Sequence, residues 1–166
     1  MFLSVIIPTY NEDKIIKKNI IKIQEYFNNK FEFEIIIVND GSTDNTENIL
    51  NSLNISNLKL INNKNNYGKG KSIKQGVNEC VGDIILLTDA DLSSPIDQFD
   101  KLYQIYTSNY DFVIGSRSKK DSEILKKQNF KRILAGKIFN IFIRILLQLK
   151  YEDTQCGFKL FEKNKI

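Results

Sequence analysis

The sequence predicts an α/β fold, a doubly wound and mostly parallel sheet flanked by helices. Short apolar runs alternate with segments whose apolar residues recur at helical spacing, and the connections between them stay short. In addition, Thr9, Asp40, Asp89 and Asp91 all fall just past the carboxyl end of an expected strand, where sheets of this kind bind their ligands. The 166 residues fit one domain, 1–166, with a proper core and no internal repeat.

Leu3 to Ile7 is an apolar run closed by Pro8, a first strand and then a turn. Asn11 is a good N-cap for a helix reaching Asn28, with Ile15, Ile16, Ile20, Ile23 and Phe27 along one side. Phe33 to Val38 is a second strand, stopped by Asn39-Asp40-Gly41-Ser42. Thr43 or Asp44 then caps a helix carrying Ile49, Leu50 and Leu53, and Leu58 to Ile61 is a third strand. After the polar residues Asn62 to Asn66, the loop Tyr67-Gly68-Lys69-Gly70-Lys71 leads into a helix with Ile73 and Val77. Ile84 to Leu87 is a buried strand running into Thr88-Asp89-Ala90-Asp91. A helix with Ile96, Phe99, Leu102, Tyr103 and Tyr106 follows Pro95, and Phe112 to Gly115 is a further strand.

After Arg117 the texture changes. Residues 118–150 read as a charged loop and a basic amphipathic helix. Lys131 to Leu149 places Leu134, Ile138, Ile141, Phe142, Ile145 and Leu149 on one face, with Lys131, Arg132, Lys137 and Arg144 among them. That helix is too short and too charged to span a bilayer. It fits a helix lying in the membrane interface, and equally one packing on the sheet. The net charge of +4 hides an uneven distribution. Arg117 to Lys150 holds ten Lys and Arg against Asp121 and Glu123, a local +8 that leaves −4 elsewhere. One surface is therefore expected to meet something anionic. Nucleic acid is not expected, because the basic region lacks an interleaved aromatic platform.

The chain contains no histidine. A Ser-His-Asp triad and a histidine zinc site are thereby excluded, and a general base has to be Asp, Glu, Lys, Tyr or Cys. Cys80 and Cys156 are far apart and form no CxxC, which points to a reduced, cytosol-facing context. The opening Met1-Phe2-Leu3 has no basic stretch, long apolar run or cleavage site, so no signal peptide is expected, and the sequon Asn54-Ile55-Ser56 carries no weight. Two glycine motifs fall short. Gly70-Lys71-Ser72 ends like a P-loop but has Asn65 where the leading glycine belongs, and Gly68-Lys69-Gly70 opens a dinucleotide fingerprint whose third glycine position is Ile73. The loop still offers backbone N–H groups and lysine charge to a diphosphate at a helix start, or it is a solvated turn.

Asp89 and Asp91 admit two readings. They form a turn that caps the next helix, or they hold a divalent cation that relieves their mutual repulsion. Oxygen-only ligation suits Mg²⁺ or Mn²⁺, which take the rest of their shell from water and substrate phosphates. The gathering of Thr9, Asp40, Asp89 and Asp91 at one sheet rim favours the cation.

Pro8-Thr9-Tyr10-Asn11-Glu12, Val38-Asn39-Asp40-Gly41-Ser42-Thr43-Asp44 and Asp89-Ala90-Asp91-Leu92 together resemble the inverting family 2 glycosyltransferases, whose fold is the Rossmann-like GT-A. Gly115-Ser116-Arg117 and Asp153-Thr154-Gln155-Cys156-Gly157-Phe158-Lys159-Leu160-Phe161 resemble, within that family, the dolichyl-phosphate β-glucosyltransferases. Dolichyl-phosphate mannose synthases, which use GDP-mannose, are similar relatives.

The resemblance implies transfer of glucose from UDP-glucose to dolichyl or polyprenyl phosphate, feeding protein N-glycosylation. It implies a cytosolic membrane face, that of the endoplasmic reticulum in a eukaryote. Pro8, Thr9, Tyr10, Glu12 and Asp40 would hold the uridine, with Asp40 accepting from the uracil N–H. Gly68, Lys69, Gly70 and Lys71 would close over the nucleotide. Asp89, Ala90 and Asp91 match the DxD element, with Asp89 and Asp91 on a Mg²⁺ or Mn²⁺ that stabilises the departing UDP. Mannose synthases often carry Gln where this chain has Ser93, so Ser93 stays outside the metal set. Arg117 would contact a phosphate. Asp153 would orient the acceptor or the sugar, or take a residual proton; otherwise it pairs with Lys150 or Lys159. Gln155 and Lys159 would line the acceptor mouth. A lipid monophosphate is already ionised at neutral pH, so the reaction needs little or no base. The family's eukaryotic members also usually carry an N-terminal membrane anchor and continue past the Gly157-Phe158-Lys159 motif, which leaves a C-terminally truncated form as one reading of this sequence. A sugar-nucleotide-binding piece without lipid acceptor activity is the alternative function.

Overall fold

The computed structural model describes residues 1–108, 110–116 and 156–165. Met1–Val113 together with Gly157–Ile166 form one compact unit, and Ile114–Cys156 form a second, of which only residues 114–116 and 156 are described. The expected loop and basic helix of 118–150 therefore lie outside the described residues, as do Arg117, Asp153 and Gln155.

The strands are β1 (Phe2–Thr9), β2 (Glu32–Asn39), β3 (Leu58–Asn62), β4 (Ile84–Leu87), β5 (Phe112–Ile114) and β6 (Lys159–Glu162). They form one sheet in the order β3-β2-β1-β4-β6-β5. β1, β2, β3 and β4 are mutually parallel where they pair, and β6 runs antiparallel to β4. The chain builds outward from β1 to β3, then returns to β1's other side to lay down β4. The crevice between the carboxyl ends of β1 and β4 is thus the topological switch point of the sheet.

The helices are α1 (Ile16–Phe27), α2 (Thr46–Asn51), α3 (Lys69–Glu79) and α4 (Phe99–Tyr106), the last entered through a short 3₁₀ turn at Ile96–Gln98. Strand side chains alternate between faces, so each central strand feeds two cores. Ile6, Ile36, Val38, Ile85, Leu87 and Phe161 are buried together on one face, where Ile73 and Val77 of α3 cover them. On the other, Phe27 of α1 lies 5.6 Å from Phe33 of β2 and 4.9 Å from Phe99 of α4, edge to face with the latter. Of the apolar stripe read from the sequence, Ile16, Ile20, Ile23 and Phe27 are buried, while Ile15 precedes the helix and is half-buried. No helix among the described residues is long and apolar enough to cross a membrane.

Four local expectations are corrected. Pro8 does not close the first strand; it lies within it, opposite Val38. The Ile6 carbonyl accepts from Thr88 N at 3.1 Å on the β4 side, and backbone alternation points the Pro8 nitrogen the same way. With no hydrogen to donate, Pro8 ends the β1–β4 ladder there and frees the chain after Leu87 to turn away. Asn11 does not cap α1, which begins at Ile16; its φ of 54° is one that asparagine tolerates, and its side chain is used elsewhere. Asn45, and not Thr43 or Asp44, takes the N-cap position of α2, although Asp44 Oδ1 does accept from Thr46 N at 2.9 Å. Finally, Lys159-Leu160-Phe161-Glu162 forms a strand that the alternation of earlier elements did not announce.

Candidate active site

The loops that follow β1, β2 and β3 are stitched into one wall. Asn11 N donates to Ser42 Oγ at 2.9 Å, and Asn11 Oδ1 accepts from Thr43 N at 2.8 Å. Glu12 N donates to Thr46 Oγ1 at 2.8 Å, and Asp13 N to Asp44 Oδ2 at 3.2 Å. Gly41 sits at the tightest point of this wall. Its φ is +71°, and a Cβ there would lie 2.5 Å from the carbonyl carbon of Asn65.

Asp40, only 3% exposed, anchors the glycine-lysine loop. Its Oδ1 accepts from Asn63 Nδ2 at 3.0 Å and Tyr67 N at 3.1 Å, and its Oδ2 from Gly68 N at 2.8 Å. Burial alone would raise its pKa, but these donors outweigh burial and hold the carboxyl below the ordinary carboxylate value. Asn63 is itself fixed by a reciprocal amide pair with Gln75 of α3, 2.9 Å in both directions. Asn63 escaped the sequence reading, which treated Asn62 to Asn66 as a polar connector. An amide in such a stretch announces a need for partners without saying which loop supplies them.

Gly68 takes the N-cap position of α3 with φ 92°. Lys69 and Gly70 open the helix, whose first turn carries no acidic residue and no side-chain cap. Such a helix start favours an anion. Lys69 reaches across to Asp89 and its ammonium rests on Oδ1. Lys71 turns back instead, its Nζ 3.5 Å from the centre of the Tyr67 ring. Thr9 is buried at the end of β1, while Tyr10 is 44% exposed beside it.

Asp89 and Asp91 occupy the turn that leaves β4 once Pro8 has ended the ladder. Asp91 is exposed, and its Oδ1 accepts from Ser93 N at 2.9 Å and Ser93 Oγ at 2.5 Å. Ala90 is buried, and its carbonyl accepts from Asn19 Nδ2 of α1 at 2.8 Å, which ties the turn down between the carboxylates. Glu12 faces the same rim. Burial raises its pKa, and the negative charges of Asp91, Asp44 and Asp89 raise it further. The rim thus has an excess of negative charge that a cation would relieve. Among the described residues no three His, Cys, Asp or Glu side chains stand close enough to hold a metal by themselves. Two carboxylates with open coordination beside an anion-favouring helix start are what a Mg²⁺ or Mn²⁺ completed by phosphate oxygens requires. The residues present fit such an ion. Lys159, which opens β6 opposite Leu87, is the one expected acceptor-side residue that the described parts include.

Comparison with known proteins agrees with this architecture. The family model for glycosyl transferase family 2 matches residues 4–166. A dolichyl-phosphate β-glucosyltransferase of Dictyostelium discoideum is 34% identical over 98% of this chain and 54% of its own length. A second, from Trichomonas vaginalis, is 36% identical over 98% of this chain and 54% of its own length. The chain therefore spans about half the length of these relatives. Among solved structures, glucosyl-3-phosphoglycerate synthase from Mycobacterium tuberculosis, in complex with Mn²⁺, UDP and glucosyl-3-phosphoglycerate, superposes with a TM-score of 0.67 at 18% identity. That match covers 98% of this chain and 57% of the other. The likeness bears out the expected GT-A fold. With the family model matching almost from end to end, the chain belongs to glycosyl transferase family 2.

Proposed function

We propose that this chain carries the nucleotide-sugar half of an inverting glucosyltransferase that moves glucose from UDP-glucose to a dolichyl or polyprenyl phosphate at a cytosolic membrane face. The observation that carries the reading is the rim itself. An acidic turn at the switch point faces a helix start that favours phosphate, beside a wall of cross-bonded loops able to hold a base. The relatives named for dolichyl-phosphate glucosyl transfer support glucose and a lipid phosphate over other donors and acceptors. In this reading Asp89 and Asp91 hold a divalent ion, Mg²⁺ or Mn²⁺, which when bound supplies Lewis-acid stabilisation to the departing diphosphate. A fold relative crystallised with Mn²⁺ and UDP supports that choice of ion.

Lys69, paired with Asp89 here, would be free to meet the diphosphate once a divalent ion took its place on that carboxylate, and its ammonium would suit the charge developing there. Asp40 keeps the loop of residues 63–68 in place and, with Pro8, Thr9, Tyr10 and Glu12, would hold the uridine, a remaining lone pair of its carboxylate accepting from the uracil N–H. The acceptor phosphate attacks as an anion and needs little or no general base, consistent with a chain without histidine. Arg117, Asp153, Gln155 and Lys159 supply the acceptor side, and the basic helix of 131–149 supplies contact with anionic lipid. A membrane of the endoplasmic reticulum is the setting if the source is a eukaryote.

The test is a donor screen. The chain is offered UDP-glucose or GDP-mannose with a polyprenyl phosphate, with and without Mn²⁺. Metal-dependent transfer from UDP-glucose is expected. Preference for GDP-mannose moves the chain to mannosyl transfer. Donor binding without any transfer supports the alternative, a sugar-nucleotide-binding piece.

A further inference from the structure

Asp89 is a short side chain held between two neighbours. The Lys69 ammonium lies on one side of it. On another lies Gly157, in the segment leading into β6, whose antiparallel pairing with β4 sets Lys159 opposite Leu87 and carries the preceding residues past the end of β4. A Cβ at position 157 would stand 2.2 Å from Asp89 Oδ2, 2.4 Å from Oδ1 and 2.5 Å from Cγ. All three nearest atoms belong to that one carboxylate, and real Cβ contacts essentially never fall below 3.0 Å. Among the described residues the positive-φ glycines are Gly41 and Gly68, so conformation is not what demands glycine at 157. Space is.

We propose that Gly157 is a positioning residue that sets where the Asp89 carboxylate stands, by leaving it room against the segment that leads into the strand partner of β4. The proposal rests on the reading of Asp89 as a metal ligand. The obstructing atoms are the far end of a side chain and not backbone, so alanine at 157 can be accommodated by rotating the carboxylate. The fold then survives while the ligand position is lost. This separates the role of Gly157 from that of Gly41, where the atoms in the way are main chain.

The experiment compares wild type, Gly157→Ala, Asp89→Ala and the double variant. UDP binding is titrated with and without Mn²⁺, and Mn²⁺ binding is followed by electron paramagnetic resonance. Gly157→Ala should keep its Tm and its metal-free UDP affinity, and should weaken Mn²⁺ binding about 10- to 100-fold, the usual effect of disturbing a group that orients a ligand. In the Asp89→Ala background it should cost nothing further, because the carboxylate it displaces is gone. Unchanged Mn²⁺ affinity in Gly157→Ala, or an equal further loss in the double variant, overturns the proposal. Should Gly157→Ala fail to fold, recovery of folding in the double variant supports the steric role, and continued failure overturns it. If Asp89→Ala leaves Mn²⁺ binding untouched, the metal reading of Asp89 fails and takes the proposal with it. That result is distinct from a wild-type response to Mn²⁺ that only Gly157→Ala leaves unchanged.

Discussion

The wall after β1 to β3 and the turn after β4 face one crevice and are built in opposite ways. In the wall, Asn11, Glu12, Asp13, Asp40 and Asn63 each bond to a different loop, and most of these bonds involve a main-chain amide. In the turn, the Asp91 carboxylate bonds within its own loop to Ser93, and the Asp89 carboxylate bonds to a lysine more than half exposed. One region has satisfied its polar groups from within. The other has left charge to be satisfied by what binds. A pocket for a rigid base gains from preorganisation. In the proposed reading a site for a metal and a leaving diphosphate would exchange partners in each turnover, which an exposed Asp91 and an Asp89 paired only with an exposed lysine would allow.

The contrast can be broken most severely at the turn. Asp91→Ala should remove several kcal/mol of transition-state stabilisation, on the order of 10³-fold in metal-dependent transfer, with little change in Tm. Full turnover retained by that variant would remove the metal role. Asp40→Ala should do the reverse. It leaves Tyr67 N without its acceptor and strips Gly68 N and Asn63 Nδ2 of one of two, at a cost of about 1–3 kcal/mol in urea unfolding. Nucleotide binding should fall with it, because the loop of residues 63–68 loses its anchor.

Acid sharpens the same division. The folded-state pKa of Asp40 is lowered by its hydrogen bonds, and that of Asp44 by bonds to Thr46 and Asp13, in each case against an opposing push from burial. Stability from these groups is therefore full above their unfolded pKa and lost as pH falls through the lower folded value. Hydrogen exchange at Tyr67 and Gly68 should rise below about pH 4, where free carboxylates begin to protonate. Glu12 has the opposite sign, since its raised pKa makes its charged form the costly one. Lys69→Met should have a smaller effect of mixed direction, a few-fold tighter Mn²⁺ binding without nucleotide and a few-fold weaker binding of UDP with Mn²⁺, within the range of a solvent-exposed ion pair. Isothermal titration in both orders of addition reads it. Last, Lys59→Ala removes an exposed ion pair with Glu79 on the outer edge, far from both regions in role, and should leave Tm and UDP binding unchanged.

Much of this was legible in the residues. Ile35-Ile36-Ile37-Val38 and Ile84-Ile85-Leu86-Leu87 are apolar runs whose ends locate Asp40 and Asp89, because a buried parallel strand needs no polar face. Partners across space were not legible. Nothing local to Asn11 says that its side chain holds Thr43, and nothing local to Gly157 says that a carboxylate lies against it. The four residues of β6 are too few for alternation to speak. Pro8 misled for a physical reason: proline within a strand normally argues against one, unless the neighbouring strand ends at that point.

That exception has a lasting effect on the molecule. The end of the ladder between the two middle strands is set by an absent hydrogen, while the Asn19 side chain holds the turn beyond it through the Ala90 carbonyl. An ordinary amino acid at position 8 would restore the missing donor, allow one more rung to zip, and draw the acidic turn down into the sheet.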